Sequence, residues 1–307
     1  MASRWTAFLR GLRRLFGFSY SFTGHANDIF CETDFPGSNA DLVRAAEFVV
    51  TETDHARRWM EDRHRCARGK VFRVFNGIAM DGFPPRAAAG VVPRILSVGR
   101  YVEKKGFGDL IAACGLLRGR GVEFECALVG GGPLERELQA QLDAAQLGGI
   151  VRLAGPQPQA EVRRMLAQAQ LFVLACVVET SGGSDNLPTV IMEAMACGTP
   201  VVSTRVAGVP EMVDDGRTGL LTLPNDPPAL AAAMEKLLRD PALAGGLAVS
   251  ARQAAAEKFA IEKTTRDLQH LLILHGRIVA PEAARRLDPT LPRETFRARL
   301  SEYFRRP

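Results

Sequence analysis

The sequence predicts an α/β protein organised on parallel β-sheet, and two observations carry that expectation. From residue 94 onward, short apolar runs alternate with helical stretches of about ten to fifteen residues, the spacing of parallel strands joined by right-handed crossovers. The stretch 171–203, LFVLACVVETSGGSDNLPTVIMEAMACGTPVVS, spells one complete strand–loop–helix–strand unit. Its apolar run at 171–178 leads into a polar, Gly-rich loop at 179–188. A helix follows that Pro188 and Thr189 can start and Gly198, Thr199 and Pro200 stop, and then a second apolar run at 200–203. Ligands on such sheets sit where the loop meets the helix N-terminus, and Asp185 and Glu193 bracket that junction.

Composition narrows the class. A chain of 307 residues with 47% hydrophobic and 24% charged residues can bury a large core in one or two domains. The net charge of +5 is mild and dispersed, which argues against a nucleic-acid partner. Six cysteines, at 31, 66, 114, 126, 176 and 197, form no CxxC pair and no cluster with histidine. Several lie inside apolar runs, as small buried thiols of a reducing compartment do. No apolar stretch approaches the roughly 20 residues that span a bilayer, and the start lacks a signal-peptide core. A cytosolic location is expected.

Residues 5–16 repeat Trp, Phe and Leu at helical spacing, with Arg4, Arg10, Arg13 and Arg14 on the other face. Such a helix either covers a sheet or lies on an anionic membrane or partner chain through residues 3–16. Strands are expected at 18–23, 47–51 and 71–75, a polar turn at 24–28, and helices at 40–46 and 53–67. The Gly- and Pro-rich stretch 76–90 has no period and reads as a connector. This divides the chain into an N-terminal part at 1–80, a linker at 81–93, a larger domain at 94–276 and a basic tail at 277–307. In the larger domain, strands are expected at 94–99, 124–130, 150–155, 171–178, 200–203 and 219–223. The helices between and after them run from beyond Gly106 to about 118, and fall at about 134–145, 159–169, 189–197, 210–213, 227–239, 241–257 and 261–276.

The chemistry gathers at strand ends. Arg100 and Lys105 occupy the loop after the first strand of the larger domain, where a guanidinium fork and an ammonium suit a diphosphate. The turn Gly130-Gly131-Gly132-Pro133 either offers backbone amides to an anion or makes a tight turn. It is neither a G-x-G-x-x-G fingerprint nor a Walker loop, which disfavours NAD binding and ATP hydrolysis. Amides at the start of the 189–197 helix can complete a phosphate cradle.

The ordered series SVGR…KKG, LVGGGP and DNLPTVIMEAMACGTPVV resembles the donor domain of family-four retaining glycosyltransferases, over roughly 94–259. SFTGHANDIF and NGIAMDGF resemble the acceptor-domain and linker segments of the same family. The resemblance implies a GT-B-type fold: a Rossmann-like parallel-sheet donor domain plus an incomplete N-terminal Rossmann-like acceptor domain. It implies that Glu193 holds the ribose hydroxyls of a nucleotide sugar and that Arg100 and Lys105 bind its diphosphate. Amides at Asn186 and Leu187 add to that grip, with Gly131, Pro188 and Thr189 completing the donor site. Asp185, where the family more often has Glu, positions the donor sugar, and His25 lines the cleft beside it. The implied reaction is retaining transfer from a nucleotide-diphosphate sugar to a glycan or lipid-linked acceptor in polysaccharide biosynthesis. No D-x-D metal site occurs, so catalysis without metal or cofactor is expected. The alternative is a non-catalytic nucleotide-sugar-binding subunit that needs a partner chain. A sugar epimerase of similar build fits the three motifs less well.

Overall fold

A computed structural model of the chain describes residues 20–30, 39–87 and 90–275. The amphipathic stretch at 5–16, Cys31 and the basic tail at 277–307 lie outside the described residues.

The first sheet is small. Strands β1 (Phe22–Gly24), β2 (Val49–Thr51) and β3 (Val71–Arg73) pair in parallel in the order β1-β2-β3. The helices α1 (Ala26–Phe30), α2 (Asn39–Ala45) and α3 (Asp54–Arg63) accompany them. Ile29, Val43, Val49, Ala56, Met60 and Val71 form their common core. Two expectations change here. The polar turn expected at 24–28 gives way to α1, whose first bond runs from the Ile29 amide to the His25 carbonyl, with Ile29 buried as its anchor. The helix expected over 53–67 ends at Arg63, because His64 takes an extended conformation (φ −128°, ψ 102°) before a single 3₁₀ turn at Arg65–Ala67. Thr53 starts α3 as its N-cap, its hydroxyl accepting from the Ala56 amide at 3.1 Å.

The second sheet has six strands, all parallel: β4 (Arg94–Val98), β5 (Glu125–Val129), β6 (Val151–Leu153), β7 (Leu171–Leu174), β8 (Val201–Thr204) and β9 (Leu220–Thr222). Their spatial order is β6-β5-β4-β7-β8-β9. β4 and β7 therefore lie side by side at the centre, and the connections run outward from them in opposite directions. That is the topological switch point, where a crevice opens beyond the carboxyl ends of the strands.

Helices cover both faces, as an all-parallel sheet requires. They are α4 (Phe107–Gly119), α5 (Glu135–Ala144), α6 (Gln159–Gln168), α7 (Thr189–Cys197), the short α8 (Val209–Met212), α9 (Pro227–Arg239) and α10 (Pro241–Phe259). One core centres on Phe172, Leu174, Ile191, Met195 and Phe259, and the other on Leu110, Ile111, Leu128, Val173 and Met234. Cys114, Cys126, Cys176 and Cys197 are buried free thiols. Burial pushes the Cys176 thiol up to about 12, so it is inert at neutral pH.

The last helix, α11 (Ile261–His275), turns back onto the first sheet. Leu271 is buried against Phe48, Val50 and Val74, and the His275 ring sits 4.5 Å from that of Phe72. Ile78 fixes the return. Its amide donates to the Phe259 carbonyl at 2.8 Å, and its carbonyl accepts from the Ile261 amide at 3.0 Å. Among the described residues no helix is long and apolar enough to cross a membrane.

Candidate active site

The crevice at the switch point is built from two loops, one after β4 and one after β7. Glycines let them approach each other. A Cβ at Gly130 would lie 1.8 Å from the Gly99 carbonyl oxygen, so the 130–133 turn packs directly beneath the β4 loop. The Tyr101 amide donates to the Gly131 carbonyl at 3.0 Å, and the Leu134 amide to the Tyr101 carbonyl at 3.2 Å. The turn thereby braces the loop that holds Arg100 and Lys105.

Gly106 brings the other end of that loop to the β7 loop. It sits in the left-handed region at φ 63°, and a Cβ there would fall 1.7 Å from the Ala175 carbonyl oxygen. Two further straps follow. The Val177 amide donates to the Lys104 carbonyl at 3.1 Å. Glu103 Oε1 accepts from both the amide and the hydroxyl of Thr180, at 2.9 and 2.8 Å.

Between these straps the Lys105 ammonium and the Asp185 carboxylate form an ion pair, each side chain less than one-fifth exposed. A charge held that far from water keeps much of its interaction strength, so the pair sets where the loop stands. Lys105 also lines a cavity of about 320 Å³ with Gly99, Gln159, Thr189, Val190 and Glu193. Val98, Val162 and Val190 give it apolar lining, and the polar groups come from the strand-end loop and the N-terminal parts of α6 and α7. Burial pushes the Glu193 carboxyl above its usual range, against a hydrogen bond from Gln159 and the charge of Arg163. Arg163 is in turn held by linker residues: its guanidinium donates to the Gly82 carbonyl at 3.2 Å and stacks 4.6 Å from the Phe83 ring centroid.

Lys105, Thr189 and Glu193 thus share one cavity, and Asp185 joins them through Lys105. Arg100 lies on the same loop with its side chain exposed, and Leu187 turns its side chain into the core ahead of Pro188. Asn186 is fully buried. Its side chain faces the first sheet, where Thr53 Oγ1 donates to Asn186 Oδ1 at 2.5 Å. His25 stands on that sheet too, its Nδ1 2.8 Å from Glu52 Oε1.

Sequence reasoning missed Glu52, Thr53, Asn76, Gln159 and Glu211. One signal was available for two of them, since Glu52 and Thr53 are polar residues directly after the run EFVVT, at the carboxyl edge of a parallel strand. Among the described residues no group of three His, Cys, Asp or Glu side chains is arranged to hold a metal ion.

Two parallel-sheet units with a crevice at the switch point of the larger one define a GT-B glycosyltransferase fold. Sucrose-phosphate synthase from Thermosynechococcus elongatus has this arrangement, with a TM-score of 0.73 at 23% identity over 86% of this chain and 69% of that one. HepE of Anabaena in complex with UDP and glucose gives 0.73 at 18% identity, over 87% and 75%.

Within that class, residues 92–240 match the family Glycosyl transferases group 1. A Salmonella typhimurium protein named as the colanic acid biosynthesis glycosyltransferase WcaL is 37% identical over 210 residues, 67% of this chain and 52% of its own length. The amylovoran biosynthesis glycosyltransferase AmsK of Erwinia amylovora is 36% identical over 179 residues, 58% of this chain and 44% of its own. The chain spans about half the length of the curated relatives it matches.

Proposed function

We propose that this chain is a retaining glycosyltransferase that moves a sugar from a nucleotide-diphosphate sugar to a glycan or lipid-linked acceptor in polysaccharide biosynthesis. The observation that carries the reading is the convergence of Lys105, Asp185 and Glu193 on the switch-point crevice. Departure of a nucleoside diphosphate leaves negative charge on phosphate oxygen. The Lys105 ammonium, the Arg100 guanidinium and the N-terminus of α7 are the groups that stabilise it. Glu193 accepts from the ribose hydroxyls, its raised pKa being the cost of a carboxylate kept dry for that purpose. Asp185 orients the sugar once phosphate takes over Lys105, and His25 stands on the acceptor side.

No step in this scheme needs a metal or cofactor, because phosphate charge is met by side chains and amides. The relatives named for colanic acid and amylovoran support the polysaccharide assignment. Work at the cytoplasmic face of the membrane, with contact to anionic lipid or a partner chain through residues 3–16, belongs to the same reading. Sedimentation with liposomes tests that contact.

The deciding experiment is a thermal-shift panel of UDP-, GDP- and ADP-sugars, followed by donor turnover. A ligand at one hundred times its dissociation constant adds about 2.7 kcal/mol to stability. One base should stabilise the chain strongly and Lys105→Ala should shrink the shift. A panel without any shift overturns the reading.

A further inference from the structure

Glu52 is a buried carboxylate that the scheme above does not use. It directly follows β2, at the carboxyl end of the first sheet, and is 6% exposed. A carboxylate withdrawn from water has to be met by donors. Three surround it. His25 Nδ1 lies 2.8 Å from Oε1, Asn76 Nδ2 donates to the same oxygen at 2.5 Å, and Asn186 Nδ2 donates to Oε2 at 3.5 Å. The first two belong to segments around the first sheet. The third comes from the loop after β7, one residue beyond Asp185.

Asn186 does not meet Glu52 by accident of a mobile side chain. It is fully buried, and Thr53 Oγ1 donates to its Oδ1 at 2.5 Å, which turns its Nδ2 toward Glu52. Gly208 makes the approach possible, since a Cβ there would stand 2.3 Å from both the Asn186 carbonyl oxygen and Thr53 Cγ2. The carboxylate therefore bridges the acceptor-side histidine and the donor-side loop.

We propose that Glu52 is a positioning residue for His25. A neutral imidazole has one N–H. Donated from Nδ1 to a buried carboxylate, it leaves Nε2 as the basic nitrogen and fixes the plane of the ring. The second carboxylate oxygen, through Asn186, holds that ring in register with Asp185. His25 and Asp185 then reach the reacting sugar as one preorganised pair across the two sheets. This deepens the function proposed above and rests on it.

Two measurements test it. In the full chain labelled with ¹⁵N-histidine, the His25 signals are identified by their loss in His25→Ala. Above the imidazole titration range they should report the Nδ1-protonated tautomer, and Glu52→Ala should shift them to the Nε2-protonated form. Should Glu52→Ala fail to fold, Glu52→Met keeps the length without an oxygen acceptor and is read the same way. A tautomer unchanged in the folded variant overturns the proposal.

The second measurement is turnover with UDP-glucose and GDP-mannose as probe donors. Glu52→Ala should lower kcat about tenfold or more while leaving donor KM and the Kd for UDP or GDP within about twofold. Paired with His25→Ala it should cost no more than His25→Ala alone, and losses that multiply would sink the idea. If the wild-type chain turns over neither donor, the glycosyl-transfer reading fails, and the tautomer measurement still decides the role of Glu52.

Discussion

Lys105 and Asp185, 80 positions apart in the sequence, form an ion pair that closes the crevice between the β4 and β7 loops. Neither charge is exposed enough to be a solvated surface pair, and the loops around them are strapped by Glu103, Thr180 and Gly106. An anionic ligand entering this crevice competes with Asp185 for the ammonium. Binding and release of Asp185 are then one event.

That competition sets the ranking of two variants. Lys105→Ala removes a preorganised cation from the cavity, so affinity for a nucleoside diphosphate should fall by about 1.5–3 kcal/mol. Arg100→Ala removes an exposed group that must be ordered on binding, and its effect should be smaller. Titration calorimetry with UDP and GDP gives the order. Equal affinity in wild type and both variants would remove the diphosphate from this loop.

Much of this was legible in the chain itself. The parallel sheet followed from apolar runs spaced by helices, and the Asp185–Glu193 junction from a loop meeting a helix start. Strand ends were overextended, as at 171–178 against Leu171–Leu174, because apolar residues that leave the sheet, such as Ala175 to Val177, remain buried in its core. The polar segment at 24–28 read as a turn because its apolar anchor, Ile29, lies one residue beyond it. The Glu52 network was out of reach. It depends on His25, Asn76 and Asn186 arriving from three distant segments, and no local pattern encodes that meeting.

Glu193 joins binding to stability. Its carboxyl is held above the usual range by burial, so the folded chain binds a proton more tightly there than the unfolded chain does. Stability from this group is therefore present at low pH and lost as pH rises through the unfolded value of about 4.5 toward the raised folded one. Glu193→Gln removes the loss. At neutral pH the variant should melt higher than wild type and bind UDP or GDP more weakly, with pyrophosphate affinity hardly changed. A lower melting point, or equal losses for both ligands, would mean that the carboxylate organises the loop and does not grip ribose.

Two histidines work in the opposite direction. Burial lowers the pKa of His55, with Glu211 opposing and Arg58 adding to the shift, and burial alone lowers that of His275. Between their lowered folded values and about 6.5 the unfolded chain binds more protons, so stability falls as pH drops through that window. His275 stacks on Phe72 and His55 faces Phe30 at 5.8 Å, which makes phenylalanine a fitting replacement at both. Urea midpoints measured between pH 7.5 and 5.5 should decline less steeply in His55→Phe/His275→Phe than in wild type. Parallel curves would show that neither ring titrates with unfolding.

The two sheets are also joined at a helix end. Glu211, on α8 of the larger unit, accepts from the Asp54 and His55 amides at 2.7 Å each, which are the first two of α3. Those amides have no partner within their own helix, and a carboxylate there also meets the positive end of the helix dipole. Lys258 steadies the clasp by donating to the Glu211 carbonyl at 3.2 Å. Glu211→Ala should cost about 1.5–3 kcal/mol, and the Asp54 and His55 amides should exchange with solvent much faster while the β4–β9 sheet stays protected. Since Thr53 and Glu52 immediately precede these amides, the same variant should loosen their contacts with Asn186 and lower turnover more than UDP affinity. Unchanged exchange at the Asp54 and His55 amides would show instead that α3 is held by its apolar core and that the clasp adds nothing.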